Sequence, residues 1–225
     1  MRTLKTWAVA AAMVALTGAA QASLVIRGGG MIYDTTRNIT WLADMNYAGT
    51  SGHTGTGVNA DGRMTWAAAT DWANNLVYGG YSDWRLPTLN PTDTTCTGGF
   101  GVGIGYNCTG GELSGLFVTD LGNKAGESVL NQMGDTAEQI ANLALFSNVQ
   151  SNVYWSGTEY APNPLSAWNF QTMDGFQLID GKFTALYAVA VRPGDVAASV
   201  PEPQTLALAL LALDATVVAR RRRPA

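Results

Sequence analysis

The fold of this chain is decided by the stretch Gly80-Tyr81-Ser82-Asp83-Trp84-Arg85-Leu86-Pro87-Thr88. Asp83 and Arg85 flank Trp84, so a carboxylate and a guanidinium can meet across a buried indole. Such a pair is tolerated inside a protein when every donor is satisfied. Pro87 fixes its own φ and forces the preceding residue towards an extended conformation. Because no nucleophile or general base accompanies these side chains, the stretch predicts a rigid structural corner.

The segment before the corner predicts a helix over residues 65–76. Its apolar positions recur at three- and four-residue spacing, and they are Trp66, Ala69, Ala73 and Leu76. This spacing places them on one face of a helix, with Trp66 in the core. Thr65 can cap the helix, and Gly79 can close it in the left-handed conformation.

Further towards the N-terminus the pattern predicts strands and a loop. Residues 31–34 and 38–42 are rich in β-branched and aromatic side chains, which favour strands. Residues 48–62 show no periodicity and predict a surface loop. They include His53, the only histidine of the chain, and no cysteine or carboxylate cluster accompanies it. We therefore interpret His53 as a solvated side chain.

The segment after the corner holds both cysteines. Residues 89–111 read as a long loop that contains Cys96 and Cys108. In an exported protein the simplest outcome is one disulfide, which would close a loop of about 13 residues and contribute roughly 3 kcal/mol. Two free thiols are the alternative, and a redox pair is disfavoured because the spacing is not Cys-x-x-Cys.

Two short helical segments follow this loop. Residues 112–117 can form one helical turn against the core. Residues 135–146 predict a second helix, in which Asp135 and Glu138 resemble a capping box and Ile140, Leu143 and Ala144 give the buried face.

The last third of the chain predicts β-structure. We expect strands at residues 153–157, 167–171, 175–179 and 183–192, separated by turns. Asp180-Gly181 is a hairpin signal. Residues 183–192 are apolar on both faces, which predicts a central strand.

The composition excludes some classes of function. The net charge is −4 and the pI is about 4.9, whereas a nucleic-acid surface needs a basic stripe. Only 13% of the residues are charged, and there are 26 glycines and seven tryptophans. This balance favours a loop-rich extracellular domain that contains β-structure.

The N-terminus predicts export. Residues 1–22 combine a basic head, a short apolar run and the small-x-small site Ala20-Gln21-Ala22, as in a secretory signal peptide. The apolar run is too short to span a bilayer, which needs about 20 residues.

The C-terminus predicts a sorting signal after a linker at residues 196–200. It consists of Pro201-Glu202-Pro203, an apolar run over 206–219, and a basic cluster formed by Arg220, Arg221, Arg222 and Arg223. Asp214 interrupts the run, which favours a transient membrane association over a permanent span. These parts resemble a PEP-CTERM signal over 201–225. The resemblance implies processing by an exosortase at the inner membrane, and a place at the cell surface or in the extracellular matrix of a Gram-negative type bacterium.

The middle of the chain, residues 23–195, resembles the Lcl C-terminal-like domain family. The matching segments occur in family order over about residues 30–193, and they are Tyr33-Asp34 to Trp41, the Trp66 helix, Gly80 to Thr88, Glu112-Leu113, Tyr154-Trp155-Ser156 and Val191-Arg192. The resemblance implies a fold like that of C-type lectins and formylglycine-generating enzymes. That fold is α+β, with two short helices, small antiparallel sheets and long irregular loops.

The lectin-like resemblance implies a ligand site in the loops. Our candidate binding residues are Trp155, Glu159, Tyr160, Trp168 and Asn169, because flat aromatic faces can stack on pyranose rings and loops on a rigid scaffold usually carry the site. Each tryptophan taken singly is more simply a core residue. Calcium is not favoured, because Phe170 replaces an expected acidic ligand, although Glu159 and Asp174 could contribute oxygens.

No catalytic constellation is present in the sequence. It contains no Ser-His-Asp group, paired acid motif or phosphate loop, and no cysteine follows Cys108 to bind copper in a divergent formylglycine-generating-type oxidase. We therefore expect a non-catalytic module, without a cofactor, that binds extracellular polysaccharide or another surface ligand and no nucleic acid. The alternatives are a structural matrix protein without a discrete ligand and, less favoured, the oxidase.

Overall fold

The structure is a computed structural model that describes residues 23–196. Its first sheet has the order β1-β2-β3-β9, and the strands are β1 (Leu24–Gly28), β2 (Met31–Asp34), β3 (Ile39–Leu42) and β9 (Val191–Pro193). Its second sheet has the order β4-β5-β8-β7-β6, and the strands are β4 (Thr97–Gly101), β5 (Ile104–Tyr106), β6 (Val153–Glu159), β7 (Ser166–Gln171) and β8 (Phe176–Gly181). Neighbouring strands are antiparallel in both sheets.

The helices are short. They are α1 (Tyr47–Thr50), α2 (Trp66–Asn74), α3 (Glu112–Ser114) and α4 (Ala137–Leu143), and a π-helical segment (Gly115–Asp120) continues α3. The predicted α+β fold with short helices and small antiparallel sheets is confirmed. No helix within residues 23–196 has the length and apolar character needed to cross a membrane.

The first predicted helix is α2. The Thr65 hydroxyl accepts the backbone N–H of Ala68, as expected of an N-cap. The buried face holds Trp72 beside the two predicted alanines, whereas Trp66 is half-buried. Gly79 is left-handed as predicted, but α2 already ends at Asn74 with Asn75 as its C-cap, and Gly79 instead belongs to a tight turn between Tyr78 and Tyr81.

The second predicted helix, α4, begins one residue later than its capping signal suggested. Thr136 and Gln139 form the capping box, and Asp135 instead pairs with Lys124. Of the predicted buried face, Leu143 is buried, whereas Ile140 and Ala144 are exposed and Asn142 is buried in their place. The capping box predicted at Asp135 and Glu138 was therefore wrong, because a long-range ion pair uses the first of these carboxylates.

Two predicted loops contain secondary structure. Residues 48–62 begin within α1, and residues 89–111 contain the β4–β5 hairpin. Cys96 and Cys108 lie at the two ends of that hairpin and form the predicted disulfide, with their Cα atoms 4.2 Å apart. Glycine-rich sequence conceals the hairpin, since it lacks the apolar alternation by which strands are usually found.

The predicted central strand at residues 183–192 is mostly not a strand. Residues 186–191 are buried on both sides as expected. Their backbone, however, pairs with a different segment at successive residues, since Leu186 forms a bridge with Met64 and Tyr187 forms one with Tyr154. Only β9, at the end, joins a sheet. Asp180-Gly181 does not turn the chain, because both residues still pair with β7 as the end of β8.

The corner at residues 80–88 ties distant parts of the fold together. The backbone of Arg85 exchanges two hydrogen bonds of 2.8 Å with Val191, and this pairing brings Arg192 beside Asp83. Asp83 accepts from Arg192 at 2.8 and 2.9 Å, and Arg85 donates to Glu112 at 2.7 Å through both nitrogens. The predicted pairing of Asp83 with Arg85 was wrong, although Trp84 is buried as expected and Pro87 is buried as well.

The core consists of two hydrophobic clusters on opposite faces of the second sheet. Tyr154 and Trp168 belong to the cluster around Phe117, whereas Trp155 packs with Trp72 in the other. Neighbouring residues of a strand point to opposite faces, which explains how Tyr154 and Trp155 enter different clusters. Val196, assigned by the sequence to the linker, is buried in the second cluster. The predicted signal peptide and sorting signal lie outside the described residues.

Candidate functional site

A cavity of about 520 Å³ opens between the tip of the β4–β5 hairpin and the loop after β6. We call it the hairpin cleft. Its size lies within the range of about 300–1,000 Å³ that is usual for ligand sites. It is lined by Pro91, Thr92, Phe100, Gly101, Val102, Ile104, Glu159, Tyr160, Ala161, Pro162, Trp168 and Ile179.

The hairpin forms one wall of this cleft and exposes apolar side chains there. Phe100 is 77% exposed and Val102 is also exposed, although both are large hydrophobic residues. Phe100 stacks loosely on Phe176, with the ring centroids 6.5 Å apart. Gln177 holds the hairpin in place, because its buried amide donates to the carbonyl oxygens of Asn90 at 3.2 Å and of Gly103 at 2.7 Å. With the disulfide, these bonds make the wall a fixed surface.

The loop after β6 forms the opposite wall. The backbone N–H of Tyr160 donates to Ser166, and the carbonyl of Tyr160 accepts from Asn163, so the loop is closed by its own hydrogen bonds. The ring of Tyr160 meets Trp168 edge to face, with the centroids 5.8 Å apart and the planes at 73°. The two aromatic side chains therefore support each other at the cleft.

Trp168 is the most buried of these aromatics, and its indole N–H is an unpaired donor. Its side chain is almost fully buried, and within residues 23–196 no atom accepts a hydrogen bond from its indole Nε1. Buried donors nearly always have a partner, and leaving one unpaired costs about 1–3 kcal/mol. A hydrogen-bond acceptor brought by a ligand or by water would remove this cost.

The cleft carries little net charge. Glu159 provides its single carboxylate, and Lys182 neutralises that group in an ion pair. Lys182 also lies over the ring of Trp66, 4.2 Å from the centroid, which fixes the position of the ammonium. An apolar cleft with a neutralised carboxylate suits an uncharged ligand better than a strongly anionic or cationic one.

The structure brings three of the five predicted binding residues together, namely Glu159, Tyr160 and Trp168. Trp155 has no exposed surface, and its Nε1 donates to Met64 at 2.9 Å, so it cannot stack on a ligand. Asn169 is also fully buried, and its amide donates to Asp180 at 3.1 Å. Both lie on the other face of the sheet, and their assignment to the site was wrong.

The sequence did not identify the hairpin residues of the cleft. Phe100 stands between two glycines in the glycine-rich run that joins the two cysteines, and that isolation was the available signal. An aromatic ring between glycines has no apolar neighbours in the sequence to pack against. Exposure at the surface was therefore the simpler interpretation.

The carboxylates considered for calcium are not brought together. Glu159 pairs with the beginning of β7, whereas Asp174 follows the end of that strand. Burial raises the pKa of Asp174, although its carboxylate accepts the backbone N–H of Phe176. Within residues 23–196, the closest grouping of potential ligands is Asp93 with Cys96 and Cys108, but the two sulfurs are bonded to each other and are not free to bind metal.

The fold and the cleft define a small, disulfide-bonded α+β domain with a cleft between its hairpin and a loop. The family of the Lcl C-terminal domain matches residues 30–192, which is most of the chain. The chain therefore belongs to the Lcl C-terminal domain family. This membership and the disulfide indicate an extracellular or exported protein. No match was found among curated proteins or among solved structures.

Proposed function

We propose that the chain is an exported, non-catalytic module that binds an uncharged stretch of extracellular polysaccharide in the hairpin cleft. The observation that carries the proposal is the arrangement of Phe100, Tyr160 and Trp168 around one neutral cavity. The axial C–H groups of a pyranose ring form an apolar face that packs on an aromatic ring. The ring oxygens and hydroxyls of the same sugar are acceptors, and one that reached the buried, unpaired Nε1 of Trp168 would satisfy that donor.

The proposal includes the route by which the protein leaves the cell. Residues 1–22 would direct export, and the PEP-CTERM-like segment at 201–225 would be processed by an exosortase at the inner membrane. The likeness to C-type lectins agrees with this role, since a scaffold that displays loops outside the cell needs a ligand site and no catalytic group.

The test is binding of the full chain, purified after export, to a panel of immobilised neutral polysaccharides. Phe100→Ala and Tyr160→Ala each remove an aromatic surface that a bound sugar would cover. Burying such a side chain is worth about 1.5–3 kcal/mol, so we expect each variant to bind about ten- to a hundredfold more weakly.

Phe183→Ala is the matched control. Phe183 is 85% exposed and does not line the hairpin cleft, so its loss should leave binding unchanged. Equal loss in all three variants would indicate nonspecific adhesion and would refute the site. Self-association without saturable binding to any polysaccharide would instead favour the structural matrix protein.

A further inference from the structure

A second cavity of about 480 Å³ lies between α2 and the loop that follows α1. We call it the loop cleft. It shares no lining residue with the hairpin cleft, and it is lined by Tyr47, Ser51, His53, Thr54, Gly55, Thr56, Val58, Ala68, Asp71, Trp72, Asn75, Leu76 and Val77. Its volume is again that of an ordinary ligand site.

The loop that forms its outer wall is pinned to the beginning of α2. The carbonyl of Gly57 accepts the backbone N–H of Thr65 at 2.8 Å, directly at the N-cap. Gly57 has φ +78°, and a Cβ there would lie 2.6 Å from the Thr65 hydroxyl oxygen, so only glycine permits this approach. The wall is therefore a built feature of the fold.

The inner wall is aromatic. Trp72 on α2 is buried, and Tyr47 on α1 is half-buried. Tyr47 packs edge to face against Tyr78, with the centroids 5.0 Å apart and the planes at 81°. Tyr78 in turn meets Trp84 of the corner. This row of rings holds Tyr47 in position at the cleft.

Polar side chains also line this cleft, beside the apolar Val58, Leu76 and Val77. Asp71 and Asn75 are four residues apart at the cleft side of α2, so their side chains are neighbours. The carboxylate of Asp71 takes part in none of the ion pairs found within residues 23–196. Thr54 and Thr56 are exposed on the facing loop.

We infer that the loop cleft is a second saccharide site, which takes a neutral, hydroxyl-rich sugar unit. Adjacent sugar hydroxyls can donate to the Asp71 carboxylate and to Oδ1 of Asn75, whose Nδ2 already donates to the backbone carbonyl of Asp71 at 2.8 Å, while an apolar sugar face packs on Tyr47. The free carboxylate disfavours an anionic sugar. It also provides too few oxygens for calcium, which needs six to eight.

This inference extends the proposed function, because a chain with two separate sugar sites can bridge two polysaccharide strands. Binding one strand at both sites would raise the apparent affinity without any new contact, provided that the strand can span the two clefts. The two clefts differ in charge, since Lys182 neutralises the carboxylate of the hairpin cleft, whereas the Asp71 carboxylate of the loop cleft has no ion-pair partner within residues 23–196. We therefore expect them to prefer different sugar units.

Each cleft contains one tryptophan, Trp72 in the loop cleft and Trp168 in the hairpin cleft, which allows the two sites to be observed separately. The full chain is labelled with 5-fluorotryptophan, and its ¹⁹F spectrum is recorded during titration with neutral hexasaccharides of glucose, galactose or mannose. Trp72→Phe and Trp168→Phe assign the two signals. We expect at least one hexasaccharide to move the Trp72 signal in a saturable way.

Asp71→Ala is the decisive variant, and Asn74→Ala is its matched control on the same helix. Asp71 and Asn74 are both exposed, so neither change should unfold the chain, and only Asp71 lines the cleft. Asp71→Ala should weaken the Trp72 response about tenfold or more, as expected for loss of a hydrogen bond to a charged group, and leave the Trp168 response intact.

The outcomes separate the inference from the proposed function. A Trp72 signal that no hexasaccharide moves, or that moves equally in wild type and Asp71→Ala, overturns the loop cleft as a saccharide site. A Trp72 response without any Trp168 response supports the loop cleft and refutes the hairpin cleft. Movement of both signals, with Asp71→Ala affecting Trp72 alone, supports both sites.

Discussion

The ion pair between Arg85 and Glu112 offers the most direct test of the corner. Both Glu112 oxygens accept from Arg85 at 2.7 Å, and one of them also accepts the backbone N–H of Thr88 at 2.8 Å. The side chains are 35% and 18% exposed respectively. We consider the variants Arg85→Met and Glu112→Gln and the double variant, which together form a double-mutant cycle.

The expected coupling free energy follows from this geometry. A hydrogen bond to a charged group contributes about 1.5–3 kcal/mol, and the solvent that reaches Arg85 reduces the benefit of the second one. We therefore expect a coupling of about 2 kcal/mol. In a domain of this size that corresponds to a fall in Tm of about 4–8 °C when the pair is lost. Urea denaturation at pH 7, followed by tryptophan fluorescence, measures it.

The chain contains a matched control for this cycle. Asp61 and Arg63 also form a close ion pair, at 2.7 Å, but their side chains are 43% and 40% exposed. An exposed pair of this kind contributes about 0–1 kcal/mol. A coupling at Arg85 and Glu112 no larger than that at Asp61 and Arg63 would refute the role that we assign to the corner.

The same pair predicts a pH dependence with a definite sign. Burial alone would raise the pKa of Glu112, but the hydrogen bonds from Arg85 and Thr88 outweigh it and hold the pKa below its usual value. Its stabilising contribution is therefore present above the unfolded-state pKa of about 4.3 and is lost as the pH falls through the lower folded-state pKa. The stability difference between wild type and Glu112→Gln should shrink below about pH 4, and a constant difference would contradict the assignment.

Three further predictions concern the scaffold of the clefts. Replacing Cys96 and Cys108 together by serine should lower the free energy of unfolding in urea by roughly 3 kcal/mol, because the unfolded chain gains loop freedom. Gly30→Ala should destabilise by about 1–3 kcal/mol, since Gly30 has φ +73° and a Cβ there would clash with the Tyr78 hydroxyl; adding Tyr78→Phe should restore only part of the loss. Gln177→Glu places an acceptor against two carbonyl oxygens and should release the hairpin, seen as faster amide exchange in β4 and β5.

Local sequence patterns predicted those helices and strands that are determined by the spacing, capping and intrinsic preferences of neighbouring residues. The helix at α2 follows from its apolar spacing and from Thr65, whose hydroxyl satisfies a free backbone donor. The strands β2, β3, β6, β7 and β8 follow from β-branched and aromatic residues bounded by turns. The disulfide followed from the compartment and from the number of cysteines. None of these required knowledge of a distant partner.

Pairings between distant residues could not be predicted in this way. Asp83 and Arg85 are two residues apart, yet each binds a residue elsewhere, and Arg192 is 109 positions from Asp83. Residues 186–190, just before β9, are a second example. Their apolar sequence predicts burial on both faces, but it does not predict which residues their backbone bonds to. Register and partner are set by the assembled sheets.

The sequence could predict part of the candidate site, because aromatic residues in a loop are often held at the surface. Tyr160 follows a strand at the beginning of a loop rich in proline and asparagine, and it lines the hairpin cleft. Trp155 and Trp168 look alike in the sequence and both are buried, but the face of the strand on which each lies decides which core cluster it joins, and only Trp168 also borders the hairpin cleft. That choice depends on the pairing of β6 with β7, which places Trp155 opposite Asn169.

The two clefts bear on the choice between a binding module and a structural matrix protein. A module with one site decorates a polysaccharide, whereas a chain with two independent sites can cross-link it without oligomerising. The hairpin and loop clefts are built from different elements, and each is held rigid by its own contacts, namely Gln177 with the disulfide in one case and Gly57 with Thr65 in the other. If both clefts bind sugar, binding and matrix structure are one property of this chain. A variant that lacks either cleft would then still bind polysaccharide and would no longer gel or precipitate it.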